Sequence, residues 1–221
     1  MRALVVEDDP DVGPDVVRGL EHAGFVVDLV RNGEDAWFSG DTEDYDIAVV
    51  DLGLPRLDGL SVIKRWRANG RHFPVLILSA RSDWSEKVEG IEGGADDYLS
   101  KPFQMAELAT RARALVRRSA GHSNPILTLG SLRIDSRRMT ASLNGRPLSL
   151  SQLEFRLLNY LAHQTGRAVP AGELADHLYG AIEADDTNAI EQLIVRLRRK
   201  IGSSAIETKR GFGYQLTGTA A

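Results

Sequence analysis

The chain has 221 residues, 43% of them hydrophobic and 26% charged, a composition that excludes the disordered and low-complexity classes. It contains no cysteine, so disulfide frameworks, thiolate chemistry and cysteine-based zinc sites are excluded too; no apolar run approaches the roughly 20 residues that cross a bilayer. The net charge of −4 is uneven: residues 1–118 carry −7 and residues 119–221 carry +3. That asymmetry suggests two domains with different tasks and makes nucleic acid a candidate partner for the second.

In the first half, apolar runs alternate with helical periodicity. Ala3–Val6 reads as a strand, and the acidic turn Glu7-Asp8-Asp9 after it cuts short any signal-peptide core, which leads us to expect a cytoplasmic protein with no membrane partner. A helix is expected from Pro10 to Ala23, with Pro14 close enough to its start to bend it. Phe25–Val30 reads as a strand, Gly33–Phe38 as a short helix, Ile47–Asp51 as a strand and Leu60–Trp66 as a helix. Pro74–Ser79 follows as a strand, Trp84–Glu92 as a helix, Tyr98–Ser100 as a strand and Gln104–Arg118 as a helix. Five such units predict an α/β, five-stranded, doubly wound parallel sheet.

In a parallel sheet the strand carboxyl ends share one edge, where chemistry gathers. Glu7 and Asp8 follow the first strand, Asp51 ends the third, Ser79 ends the fourth and Lys101 follows the fifth. Taken singly, Asp51 is as well explained as a turn cap. Taken together, three crowded carboxylates are best tolerated around a hard divalent cation, and Mg²⁺ prefers such oxygen ligands. Asp51 then becomes a nucleophile towards phosphorus, with the Lys101 ammonium and the Ser79 hydroxyl available to the phosphoryl oxygens. Nucleotide binding at the first turn is disfavoured, because Glu7, Asp8 and Asp9 would repel a pyrophosphate.

These residues sit in the segments Val5-Val6-Glu7-Asp8-Asp9, Val50-Asp51-Leu52-Gly53-Leu54-Pro55 with Asp58-Gly59, Leu78-Ser79-Ala80 and Gly94-Ala95-Asp96-Asp97-Tyr98-Leu99 with Lys101-Pro102-Phe103. Residues 1–118 thereby resemble the receiver domains of bacterial two-component response regulators, of flavodoxin-like fold. The resemblance implies that Asp51 is phosphorylated by a sensor histidine kinase and that Glu7, Asp8, Asp51 and the Gly53 carbonyl hold Mg²⁺. It implies that Lys101 and Ser79 contact the phosphoryl group, with a cis Lys101–Pro102 peptide, and that Tyr98 turns inward behind Ser79 as a switch. It further implies a homodimer face formed on phosphorylation, with Lys87 pairing Glu107, Asp97 pairing Arg111 and Asp96 pairing Arg118 between copies. A phosphohydrolase of the haloacid dehalogenase type would want an Asp two residues after the nucleophile; Gly53 stands there, so no enzyme beyond the receiver's own phosphoryl transfer and dephosphorylation is expected.

Residues 119–125 are small and polar and read as a linker. Residues 126–221 then give short strands at Leu127–Leu129, Leu132–Ile134, Thr140–Leu143 and Pro147–Leu150, with Asn144-Gly145 a hairpin turn. Ser151 and Glu154 form a capping box for a helix that Gly166 ends. Ala171–Tyr179 is a second helix, and a third, capped by Asp186 or Thr187, runs to Ile201. A hairpin around Lys209-Arg210-Gly211-Phe212-Gly213 closes the half. The segments Leu150–Phe155, Arg196–Ile201 and Thr208–Tyr214 resemble the α+β winged helix-turn-helix effector of the OmpR/PhoB class; Asp51–Pro55 and Arg65-Trp66-Arg67 look most like its PhoP subgroup. The resemblance makes the third helix the recognition helix for double-stranded promoter DNA. Asn188 and Gln192 are placed for bases, while Arg196, Arg198, Arg199, Lys209 and Arg210 are placed for backbone and groove. RNA polymerase is a further expected partner. The whole reads as a phosphorylation-activated transcriptional regulator; the alternative is a phosphorylation-independent DNA binder that keeps its receiver as a scaffold.

Overall fold

The computed structural model describes residues 1–80, 84–121, 124, 126–179 and 187–217. The chain divides into two compact units, Arg2–Ser119 and Ala120–Ala221. The first comprises β1 (Arg2–Val6), α1 (Val12–His22), β2 (Val26–Val30), α2 (Gly33–Thr42) and β3 (Ile47–Asp51). It continues through α3 (Gly59–Ala68), β4 (Val75–Ser79), α4 (Trp84–Glu92), β5 (Asp97–Ser100) and α5 (Met105–Ser119). All five strands are parallel, in the order β2-β1-β3-β4-β5. The chain reverses its direction of travel across the sheet between β1 and β3, the crevice where ligands collect in such sheets.

Local chemistry explains these boundaries. β1 and β4 are buried at every position and β3 at all but Asp51, as expected for strands covered on both faces. Asn32 and Asp58 cap α2 and α3 by accepting the backbone N–H groups of Asp35 and Ser61. Helix α1 begins at Val12, so Pro14 is its third residue, where an N–H has no intrahelical partner to lose. Helix α2 runs beyond Phe38 to Thr42 because Gly40 is needed inside it. A Cβ there would lie 2.4 Å from the Trp66 indole, whose Nε1–H donates to the Trp37 carbonyl at 3.1 Å. Trp66 is fully buried, while Trp84 at the start of α4 is 79% exposed. Ser119, read from sequence as linker, is the last residue of α5.

The second unit opens with an antiparallel sheet of β6 (Ile126–Leu129), β7 (Leu132–Asp135), β8 (Thr140–Leu143) and β9 (Arg146–Leu148). Asn144 and Gly145 take φ values of 52° and 74°, the left-handed pair that a two-residue hairpin turn requires. β9 stops at Leu148 rather than Leu150 because the chain leaves the sheet to cap the next helix: Ser151 accepts the Glu154 N–H, and the Glu154 carboxylate accepts the Ser151 N–H. Then follow α6 (Gln152–His163), α7 (Ala171–Tyr179), α8 (Thr187–Ile201) and the hairpin β10 (Ile206–Lys209) with β11 (Gly213–Leu216). Asp186, the other expected cap of α8, lies outside the described residues. Leu157, Leu158 and Leu161 of α6 meet Ile190, Leu193, Ile194, Leu197 and Ile201 of α8 in one core.

The closing hairpin is tied to that core through Val169 and Tyr214, which exchange two backbone hydrogen bonds of 2.8 and 2.9 Å. Gly213 makes this approach feasible: its φ is 117°, and a Cβ would lie 1.9 Å from the Val169 carbonyl oxygen. Gly213→Ala is therefore expected to destabilise the second unit by at least about 2 kcal/mol. Differential scanning calorimetry should show its transition moving down in temperature while the transition of the first unit stays in place.

Candidate functional site

The carboxyl edge of the parallel sheet collects the residues singled out from sequence. Glu7, following β1, is fully buried. Asp8 beside it is exposed and Asp51 at the end of β3 is half-buried, and the three carboxylates offer oxygens within 4.8 Å of one another. Asp9 stands outside that group: its carboxylate accepts the N–H groups of Asp11 and Val12 at the entry to α1. The Lys101 ammonium, following β5, reaches Asp51 Oδ2 at 2.5 Å and Glu7 Oε2 at 2.7 Å. Its backbone N–H donates to the Ser79 carbonyl at 2.8 Å, and its peptide bond to Pro102 is cis. Ser79, at the end of β4, is 2% exposed. The Gly53 N–H donates to Asp51 Oδ1 at 3.0 Å.

These contacts set the protonation of the cluster. Burial pushes the Glu7 carboxyl above the usual carboxylate range, and the Asp51 charge adds to the push; the Lys101 ammonium opposes both without prevailing. For Lys101, burial disfavours the charge, but hydrogen bonds to Asp51 and Glu7 outweigh it and hold the ammonium above the ordinary lysine range. Glu7 Oε1 is buried without a hydrogen-bond partner among the described residues. A buried carboxylate oxygen left bare, beside two further carboxylates, fits a hard cation with oxygen ligands.

In the second unit, α8 buries its apolar stripe and exposes Asn188, Gln192, Arg196 and Arg199. The adjoining hairpin exposes Lys209 and Arg210, with Phe212 72% exposed near its tip. Arg198 points elsewhere: its guanidinium donates to the Ile206 carbonyl and to Thr208 Oγ1 at 2.7 and 2.8 Å, fastening α8 to β10. Lys209 pairs with Glu207 at 2.5 Å. Lys200 bonds Glu154 Oε2 and the Ser149 carbonyl, each at 2.7 Å, so the capping carboxylate of α6 also anchors the end of α8. Sequence alone placed Glu154 in its capping box but carried no sign of this second partner, 46 residues away.

Residues 3–113 match the family described as response regulator receiver domain, and residues 145–216 match the family described as transcriptional regulatory protein, C terminal. The chain is 42% identical over 221 residues to the two-component response regulator PhoP of Pseudomonas aeruginosa, covering 98% of each. It is 42% identical over 219 residues to the transcriptional regulatory protein QseB of Escherichia coli, covering 98% of this chain and 99% of that one. Among solved structures, the receiver domain of Francisella response regulator 1452 matches 53% of this chain and 98% of its own, with a TM-score of 0.52 and 36% identity. The chain belongs to the OmpR/PhoB-type response regulators. It is a two-component DNA-binding transcriptional regulator rather than a conventional enzyme.

For such a regulator the residues around α4, β5 and α5 are of interest, and within one chain they already hold partners. Arg111 bonds Asp97 at 2.9 Å and Glu107 at 2.8 Å. Asp96 accepts the Val75 N–H at 2.8 Å and the Arg67 guanidinium at 3.2 Å. Arg118 donates to the Ala114 carbonyl. The Lys87 ammonium lies 5.6 Å from the centroid of the half-buried Tyr98 ring, a cation–π distance. Beside that ring Gly90 brings α4 close to the sheet: a Cβ there would lie 2.7 Å from Ile77 Cδ1, which would have to shift.

The Glu154–Lys200 pair gives a pH-dependent prediction. Burial disfavours the Glu154 carboxylate, but Lys200 and the Ser151 N–H outweigh it and hold the carboxyl below the usual glutamate range. A depressed native value stabilises the fold above the unfolded-state pKa and is lost as pH falls through the native one. Lys200→Met should cost about 1–3 kcal/mol near neutral pH, read by urea unfolding of the effector domain, and the gap from the parent protein should close on acidification below about pH 4.

Proposed function

We propose that Asp51 accepts a phosphoryl group from the phosphohistidine of a sensor kinase in the cytoplasm. The observation that carries this reading is the Asp51 carboxylate at the sheet edge, paired with Lys101 and flanked by the bare oxygen of buried Glu7. Mg²⁺ suits the Glu7, Asp8 and Asp51 carboxylates with the Gly53 carbonyl, and when bound it supplies positive charge for the phosphoryl oxygens. Asp51 attacks phosphorus in line; the new bond joins its carboxylate oxygen to phosphorus, and the bond from phosphorus to the kinase's imidazole nitrogen breaks. Lys101 shifts its hydrogen bond from Asp51 to a phosphoryl oxygen, and the Ser79 hydroxyl donates to another. The reverse fate, hydrolysis of the acyl phosphate, is the receiver's own dephosphorylation; Gly53 offers no acid or base for turnover of other phosphate esters.

Phosphorylation adds about −1.5 to −2 charge units at this edge. That charge draws the Ser79 hydroxyl towards the phosphoryl oxygens, and Tyr98 follows Ser79 inward. A receiver homodimer then forms through α4, β5 and α5, using Lys87, Asp96, Asp97, Glu107, Arg111 and Arg118; exposed ion pairs of this kind set register more than affinity. Paired effector domains gain effective concentration on promoter half-sites. Asn188 and Gln192 read bases, and Arg196, Arg198, Arg199, Lys209 and Arg210 grip the backbone or brace the hairpin that does. RNA polymerase is the downstream partner on that DNA.

Asp51→Asn should abolish uptake of phosphate from acetyl phosphate, read by intact mass, together with any phosphate-dependent rise in molar mass by light scattering. Chelation of Mg²⁺ should do the same to the parent protein. A single phosphate retained on the Asp51→Asn variant would show that the nucleophile is another residue.

A further inference from the structure

The effector's positive charge lies in two places, on the recognition helix α8 with its hairpin and on the four-stranded sheet. Residues 126–148 contain Arg133, Arg137, Arg138 and Arg146 against Asp135 alone, a net +3. The sheet's net charge thus equals that of α8, where Arg196, Arg198, Arg199 and Lys200 stand against Glu191 alone. Outside the sheet several cations are engaged, Arg167 by Glu173, Lys200 by Glu154, Lys209 by Glu207 and Arg198 by the hairpin, while Arg196, Arg199 and Arg210 are exposed. All four sheet arginines are exposed, and among the described residues none of their guanidinium groups has an ion-pair or hydrogen-bond partner.

The sheet's outer face is built to match. Its inner row, Leu127, Ile134, Ala141 and Leu148, faces the core, so the alternate row of Thr128, Arg133, Ser142 and Pro147 faces outward in register. Asp135 accepts the N–H groups of Arg137 and Arg138 and so folds the β7–β8 turn that carries both. Arg133 and Arg138 line an open concavity of about 660 Å³ with Thr128, Thr140 and Ser142. Guanidinium groups backed by hydroxyls are the side chains that contact phosphate oxygens along nucleic acid.

We propose that this outer face is a second DNA-contact surface, one that binds the sugar–phosphate backbone of duplex DNA independently of sequence. The inference rests on the effector's being a DNA-binding domain and adds a contact that its recognition helix does not make. DNA is favoured over an acidic protein because the face presents hydroxyls beside its arginines and no aromatic side chain, its apolar groups being Pro147 and the half-buried Ile126. Bidentate guanidinium contacts to phosphate need no aromatic anchor, whereas protein interfaces centre on one.

The test uses the full chain and a fluorescent random-sequence duplex of about 30 base pairs, titrated between about 50 and 200 mM salt. Each phosphate contact contributes about 0.9 to the slope of log affinity against log salt. The variant Arg133→Gln/Arg137→Gln/Arg138→Gln should therefore lose about 2 to 3 from that slope and bind more than tenfold more weakly at the low-salt end. Replacing the same three arginines by Lys should restore most of the slope, and an unchanged thermal midpoint in both variants would show that the fold is intact. An unchanged slope in the Gln variant, with the parent protein binding the duplex, overturns the proposal while leaving the recognition-helix reading standing. Failure of the parent to bind any duplex overturns both. Loss of binding to polyglutamate without loss of DNA slope assigns the face to an acidic protein instead, and that too overturns the proposal.

Discussion

One ammonium holds the receiver's working edge together. Parallel strands deliver Glu7, Asp8 and Asp51 to the same place, where their charges repel, and Lys101 lies within hydrogen-bonding distance of two of them. It is brought there from the far end of the domain's sequence by β5. The cluster is therefore poised: one buried oxygen unsatisfied, one carboxylate engaged with a cation that a more highly charged group would attract more strongly. The surrounding fold serves that balance. Buried β1, β3 and β4 fix the strand ends, and the caps at Asn32 and Asp58 fix the loops beside them.

The effector domain meets a different constraint, that of keeping a helix presentable. α8 has one face in the core and another exposed, and three polar ties hold its orientation: Lys200 to Glu154 at one end, Arg198 to the carbonyl of Ile206 and Thr208 Oγ1 beside it, and the Val169–Tyr214 exchange under the hairpin. The first two ties each consume a cation that a charge count would credit to DNA binding. The availability of a cation thus depends on its neighbours as much as on its helix face.

Much of this was legible in the residues. Apolar runs ending in carboxylates gave the strands and their functional edge; Asn144-Gly145 and the Ser151/Glu154 pair gave a turn and a cap, because their signals are local. What stayed hidden was non-local. The extension of α2 depends on Trp66 filling the space over Gly40. The diversion of Arg198 depends on a strand eight residues away, and Lys200's partner lies 46 residues back. Asp97 and Glu107 both go to Arg111 inside one chain, a sharing that a one-dimensional pairing scheme does not anticipate.

The placement of the tryptophans has an optical consequence. All three, Trp37, Trp66 and Trp84, lie in the receiver, so indole emission from the intact protein is a single-domain signal, while the effector contributes only tyrosine. Within that signal the environments are opposed: Trp66 is sealed against Gly40 and Trp84 stands in solvent at the head of α4. A soluble quencher reaches the second and not the first. The intact chain therefore carries, without labelling, a reporter on α4 and an internal reference in the same domain.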